Sequence, residues 1–167
     1  MDFALDRIAN LRLAGVELEG VRTYSDLSLV DVGRLTLALS EGALPLDFEL
    51  FVEGLNPAEN DVDARLIQLD WTLLIEDRET VSGVFEDEVV FRPGEPTTFP
   101  MRIELDLIEF FDGSARDLAE IALSLADQGG EPRNVAIEAV PTVSTALGPI
   151  RYPGTITVVS GEVGSPR

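Results

Sequence analysis

Hydrophobic and polar residues alternate along several separate stretches of this chain. Leu46, Phe48, Leu50 and Val52 fall on one side of an extended backbone while Asp47, Glu49 and Glu53 fall on the other, which predicts a half-buried strand. Ile67, Leu69, Trp71, Leu73 and Ile75 repeat the pattern, and the two runs together predict adjacent antiparallel strands. Between them lies Asn56-Pro57, where Pro57 lacks the backbone N–H that a ladder needs and biases Asn56 away from helix. Phe99, Met101, Ile103, Leu105 and Leu107 alternate with Arg102, Glu104 and Asp106 to give the clearest strand of the second half. Val81 to Phe91 supplies further strand, with Gly83 marking a bulge or a close approach, before the strong turn Pro93-Gly94-Glu95-Pro96. Nearer the N terminus, Val16, Leu18 and Val21 predict a first strand, and Leu35, Leu37 and Leu39 a second over Arg34 to Ser40. Val135 to Val143 and Thr155 to Val159 are the last strands, joined across Gly148-Pro149 and Pro153-Gly154.

A helical period occurs in one place. Ser114 followed by Asp117 has the form of a capping box, in which each side chain satisfies a backbone donor of the first turn. Leu118, Ile121, Ala122 and Leu125 then follow at i, i+3, i+4 and i+7, and Gly129-Gly130 ends the helix. Short strands with regular turn signals and one helix predict an all-β chain, folded as a two-layer antiparallel β-sandwich. A βαβ sheet would require a helix after nearly every strand. Residues 1–167 form a single domain in this reading, and residues 1–26 are its least regular strand region.

Charge changes the picture more than length does. The 167 residues, 45% of them hydrophobic, are enough to bury a core without disulfides or a structural metal. The formal net charge is −19, from 31 acidic residues against 12 basic ones, all of them arginine. Binding nucleic acid requires Lys or Arg to displace condensed counterions, so nucleic acid is not the expected partner. Recurrent β-branched and large apolar residues place the acidity on a folded surface and not in a disordered tail. Near 1 M salt the Debye length is about 3 Å, so self-repulsion that destabilises such a surface in dilute buffer is screened. Acidic surface, absence of Lys and a retained core resemble proteins of salt-accumulating halophiles.

The chain has no His, Cys or Lys. Ser-His and Cys-His nucleophiles, Schiff-base chemistry and the phosphate-loop lysine are therefore excluded, and zinc sites are built chiefly from Cys and His. No catalytic, cofactor-binding or firm metal-ligating residue is assigned. Carboxylates alone remain, and Glu59, Asp61 and Asp63 on the turn after Asn56-Pro57 are the candidate cation site. They lack the central Gly and terminal Glu of a twelve-residue Ca²⁺ loop, so a solvated turn is the plainer reading. Glu86, Asp87 and Glu88 read as a solubilising strand edge. Trp71 is in phase with its apolar neighbours, which assigns it to the core and not to a sugar-stacking platform. Asn56 reads as a turn and cap residue.

No uncharged apolar run reaches the roughly 18 residues of a membrane helix, and the start Met-Asp-Phe-Ala-Leu-Asp-Arg lacks the regions of a signal peptide. As it stands the sequence points to the cytoplasm. A leader ahead of Met1 would instead point to the cell envelope or periplasm.

In order and spacing, Phe48 to Gly54, Asn56-Pro57, Ala58 to Asp63 and Leu69-Asp70-Trp71 resemble the group 2 late embryogenesis abundant proteins. Their domain is also called the water stress and hypersensitive response domain. Pro93-Gly94 with Thr97-Thr98, the single helix, and Gly148-Pro149-Ile150 ahead of Tyr152-Pro153 extend the resemblance over roughly Leu27 to Val163. Asn56, Pro57, Gly148 and Pro149 are the motif positions. The resemblance implies an immunoglobulin- or fibronectin-III-like sandwich of about seven strands with one helix, and no catalytic residue. It also implies a non-enzymatic, stress-associated protective or interaction domain that acts on macromolecular clients under desiccation or osmotic stress. Bacterial relatives are often lipoproteins; this chain lacks the lipobox Cys, and a cell-envelope adhesion or assembly module is the alternative.

Overall fold

Alternation in the sequence becomes two facing sheets. The computed structural model describes residues 1–127 and 130–160. Its strands are β1 (Asp2–Leu13), β2 (Val16–Glu17), β3 (Pro45–Leu55), β4 (Ala64–Ile75), β5 (Arg78–Phe85), β6 (Val89–Phe91), β7 (Thr97–Asp106), β8 (Val135–Thr145), β9 (Gly148–Arg151) and β10 (Ile156–Val158). Helices α1 (Leu29–Ser40) and α2 (Ala115–Leu123) complete it. The first sheet has the order β2-β1-β3-β7; the second has β10-β8-β4-β5, with β6 also paired to β4 and β9 to β8. Every pairing between these strands is antiparallel. The chain is thus an antiparallel β-sandwich, with two helices where one was expected.

The core fills the gap between the sheets. β3 contributes Leu46, Phe48, Leu50 and Val52, β7 contributes Phe99, Met101 and Ile103, and β4 and β8 answer with Leu66, Leu69, Leu73, Ile75 and Ile137. Phe91 of β6 reaches across to Phe3 and Phe99, with ring centroids 6.1 Å and 6.2 Å away in edge-on geometry. Trp71 is half-buried and packs against this core from the side. Its ring lies over Gly83, its cross-strand partner, where an added Cβ would stand 2.5 Å from the ring. The expected close approach at Gly83 is therefore an approach by an aromatic ring.

Several expectations require correction. β3 and β4 are not neighbours: β3 pairs with β1 and β7, β4 pairs with β5, β6 and β8, and Asn56-Pro57 carries the chain from one sheet to the other. Each strand buries one face in the same interior, and a period of two does not distinguish a partner beside it from one across the core. Arg34 to Ser40 is not a strand but the body of α1. Ser28 caps that helix by accepting from the Asp31 N–H at 3.1 Å, and of the three leucines only Leu35 is buried. The alternation there is three leucines in strong helix formers, which adopt the helix once capped.

At the N terminus the main strand is β1, and the Val16 region supplies only the two residues of β2. β1 escapes a simple pattern because its pairing with β3 slips between Leu5 and Arg7 and between Ala9 and Arg12, with Asn10 at φ 56°. Each slip shifts the phase of the buried side chains. A slip between Leu66 and Gln68 does the same in β4, so Leu66 is fully buried and Ile67 only partly. α2 stops at Leu123, capped at Ser124, ahead of Gly129-Gly130; Gly129, like Val163, lies outside the described residues. Gly148-Pro149 opens β9 instead of linking two longer strands.

Candidate functional site

The motif residues are structural. Asn56 is buried, 1% exposed, and its Nδ2 donates to the carbonyls of Val62 at 2.9 Å and Phe91 at 3.1 Å while its Oδ1 accepts from Asn60 at 2.6 Å. Its backbone carbonyl also accepts from the Gly94 N–H at 2.7 Å. One amide thus ties the crossover between sheets to the turn after β6. Pro57 closes the local turn by accepting from Asn60 N–H at 3.0 Å. Gly148 and Pro149 pair with Thr145 and Ser144 at the β8–β9 hairpin, and the Thr145 hydroxyl donates to the Gly148 carbonyl at 2.7 Å. No hydrogen bond joins the two motif pairs among the described residues.

Glu59, Asp61 and Asp63 are exposed on the connection between β3 and β4. Among the described residues no three carboxylates converge as a metal site requires. Glu86, Asp87 and Glu88 are exposed between β5 and β6, with Glu88 paired to Arg65 at 2.5 Å. Asp70 and Asp117 are held below the ordinary carboxylate range. Asp70 is lowered first by the hydrogen bond from Arg151, then by that from Gln68; Asp117 is lowered by the Ser114 backbone N–H and then its hydroxyl.

A concavity lies elsewhere, along the outer edge of β1. It is a groove of about 890 Å³ lined by Arg7, Arg22, Arg133, Leu18, Val21 and Leu123. Both of its walls are tied to β1. Leu18 N–H donates to the Leu11 carbonyl at 2.9 Å, and Asn10 N–H donates to Glu19 Oε1 at 2.7 Å. On the other wall, the segment after α2 accepts the Ile8 N–H at the Gly130 carbonyl at 2.7 Å, and Arg133 N–H returns to the Leu125 carbonyl at 2.7 Å. On this edge β2 pairs only with Arg12 and Leu13.

The groove has an unusual charge environment for so acidic a chain. Arg12, Arg65, Arg102, Arg116 and Arg151 each contact a carboxylate at 3.5 Å or less. Arg22, Arg34, Arg92 and Arg133 have no side-chain partner among the described residues, and two of these four line the groove. Arg7 lies 4.0 Å over the Phe51 ring and only 4.0 Å from Asp6. Glu19 and Asp127 also line it, and each accepts from a backbone N–H, Asn10 for Glu19 and Glu131 for Asp127. None of this was predicted from the sequence, because the three arginines come from distant segments.

No family model matches the chain, and no curated protein matches it either. Solved structures similar at low level include two. One is a protein from Archaeoglobus fulgidus, 10% identical, with a TM-score of 0.42 over 92% of each chain. The other is the putative ApaA protein from Bordetella pertussis, 13% identical, with a TM-score of 0.38 over 94% of this chain and 95% of that one. No helix among the described residues is long and apolar enough to cross a membrane.

Proposed function

We propose that this chain is a non-enzymatic interaction domain of the stress-protective kind its sequence resembles, acting on macromolecular clients through a hydrated acidic surface in a salt-rich setting. The disposition of the carboxylates carries the reading. The strands turn Asp47, Glu49, Glu53, Glu104 and Glu138 away from the core, onto the outer faces of both sheets. Asp70 and Asp117 have pKa values displaced downward and are so held ionised. A general acid near neutral pH needs the opposite displacement. A surface of outward, ionised carboxylates retains water and counterions.

Drying or heating a labile enzyme in molar KCl, with and without this chain, tests the proposal. The chain retains more of the enzyme's activity than an equal mass of serum albumin. Protection no better than albumin's sinks it.

A further inference from the structure

We infer that the groove along β1 binds an amphipathic anion: an oxoanion head, carboxylate or phosphate, carried on a short apolar body. This goes beyond the surface-acting reading, and the two stand or fall separately. Acidic residues outnumber arginines 31 to 12, so an arginine has many carboxylates available. Arg22 and Arg133 nevertheless have no partner among the described residues, and they line the same groove. Arg7 joins them, its face stacked on Phe51. Its Nε lies 4.0 Å from the Asp6 carboxylate, a long pairing, and the planar fork of a guanidinium matches a carboxylate or phosphate bidentately.

The carboxylates in the groove are engaged by the backbone. Glu19 and Asp127 accept from backbone N–H groups of Asn10 and Glu131, which fixes both to the walls. Val21 and Leu123, both partly exposed, supply apolar surface in the same groove. The volume of about 890 Å³ lies within the range of roughly 300–1,000 Å³ that small-molecule sites occupy. Hydrogen bonds from β1 to both walls hold the groove open before any ligand arrives, which lowers the ordering that binding would require.

Calorimetric titration of the full chain with sodium octanoate, octyl phosphate, octanol and inorganic phosphate tests this. At least one octyl anion binds saturably, while octanol and inorganic phosphate bind at least about tenfold more weakly; whichever octyl anion is preferred identifies the head group. Arg22→Gln and Arg133→Gln each weaken the preferred anion by about tenfold or more, the usual worth of a charge-assisted hydrogen bond. Arg92→Gln, which removes an unpartnered arginine outside the groove, leaves affinity unchanged. Circular dichroism and the melting midpoint verify that the variants fold, and none of these side chains has a partner to lose among the described residues. Octanol binding as tightly as octanoate, absence of saturable binding by either anion, or equal weakening by Arg92→Gln overturns the inference. None of these results alters the outcome of the protection assay.

Discussion

Asn56→Ala asks whether one amide holds the passage between the sheets. In the folded chain the Asn56 Nδ2 donates to the Phe91 carbonyl, a buried bond of 3.1 Å, and to the partly buried Val62 carbonyl at 2.9 Å. Losing a buried hydrogen bond and leaving its acceptor unmatched costs about 1–3 kcal/mol, and the second bond adds about 1 kcal/mol, so the expected total is about 2–4 kcal/mol. For a chain of this size that lowers the melting midpoint by roughly 4–15 °C. Asn56→Asp sharpens the test because it keeps the side chain's volume and its acceptor for Asn60. It replaces the donating nitrogen with an oxygen aimed at two carbonyl oxygens, in a site 1% exposed, and so is expected to cost more than alanine does. Asn60→Ala removes only the exposed partner and costs under about 1 kcal/mol. Thermal and urea unfolding in molar KCl measure all three. An alanine variant within about 0.5 kcal/mol of the parent, or an aspartate variant no worse than alanine, refutes the assignment.

Three further outcomes follow from the same structure. Gly54→Ala would put a Cβ 2.4 Å from Cε1 of Phe91, a fully buried ring held by Phe3 and Phe99, and is expected to cost about 3 kcal/mol by urea unfolding. The melting midpoint of the parent rises from low salt to 1 M KCl, because a net charge of −19 is screened at a Debye length of about 3 Å; a flat midpoint removes the halophilic reading. Arg151→Gln brings the Asp70 carboxyl back up toward its ordinary value near 3.8, seen by carboxyl NMR titration. Because the parent's Asp70 pKa is depressed in the fold, its stabilisation is present above the unfolded value and lost as pH falls through the folded one. The stability gap between parent and Arg151→Gln accordingly narrows below about pH 4.

Elements with an uninterrupted period were legible in the sequence. β3, β7 and α2 each carry an unbroken run, and the Ser114 capping box is formed, with Asp117 N–H donating to the Ser114 hydroxyl at 3.2 Å and Ser114 N–H to Asp117 Oδ2 at 3.0 Å. α1 was illegible because a helix that buries only Leu35 and leaves Leu29, Val30 and Leu37 exposed has no apolar stripe to reveal its period. β1 was illegible for the opposite reason. It buries Phe3, Leu5, Ile8, Leu11 and Leu13, but its two slips break the phase into pieces too short to read. Which strand lies beside which was beyond reach, since β3 and β4 bury one face each in a shared core and look alike in either arrangement.

The groove shows why counting charges along a chain misplaces them in the fold. Arg22 has Asp26 four residues on, and by proximity in sequence the pair would neutralise itself. In the fold the Asp26 carboxylate turns back to the chain, accepting from the N–H groups of Thr23 at 3.1 Å and Arg22 at 3.3 Å, where it closes a capping box. Glu19 and Asp127 are engaged the same way, by Asn10 and Glu131. Irregular backbone exposes N–H groups that regular strands would pair, and short carboxylates satisfy them. Acid is therefore drawn to the backbone where the structure is least regular, and Arg22 and Arg133 of those segments are left without partners among the described residues. In a chain of net charge −19, a groove that Arg7, Arg22 and Arg133 line against Glu19 and Asp127 then arises along β1.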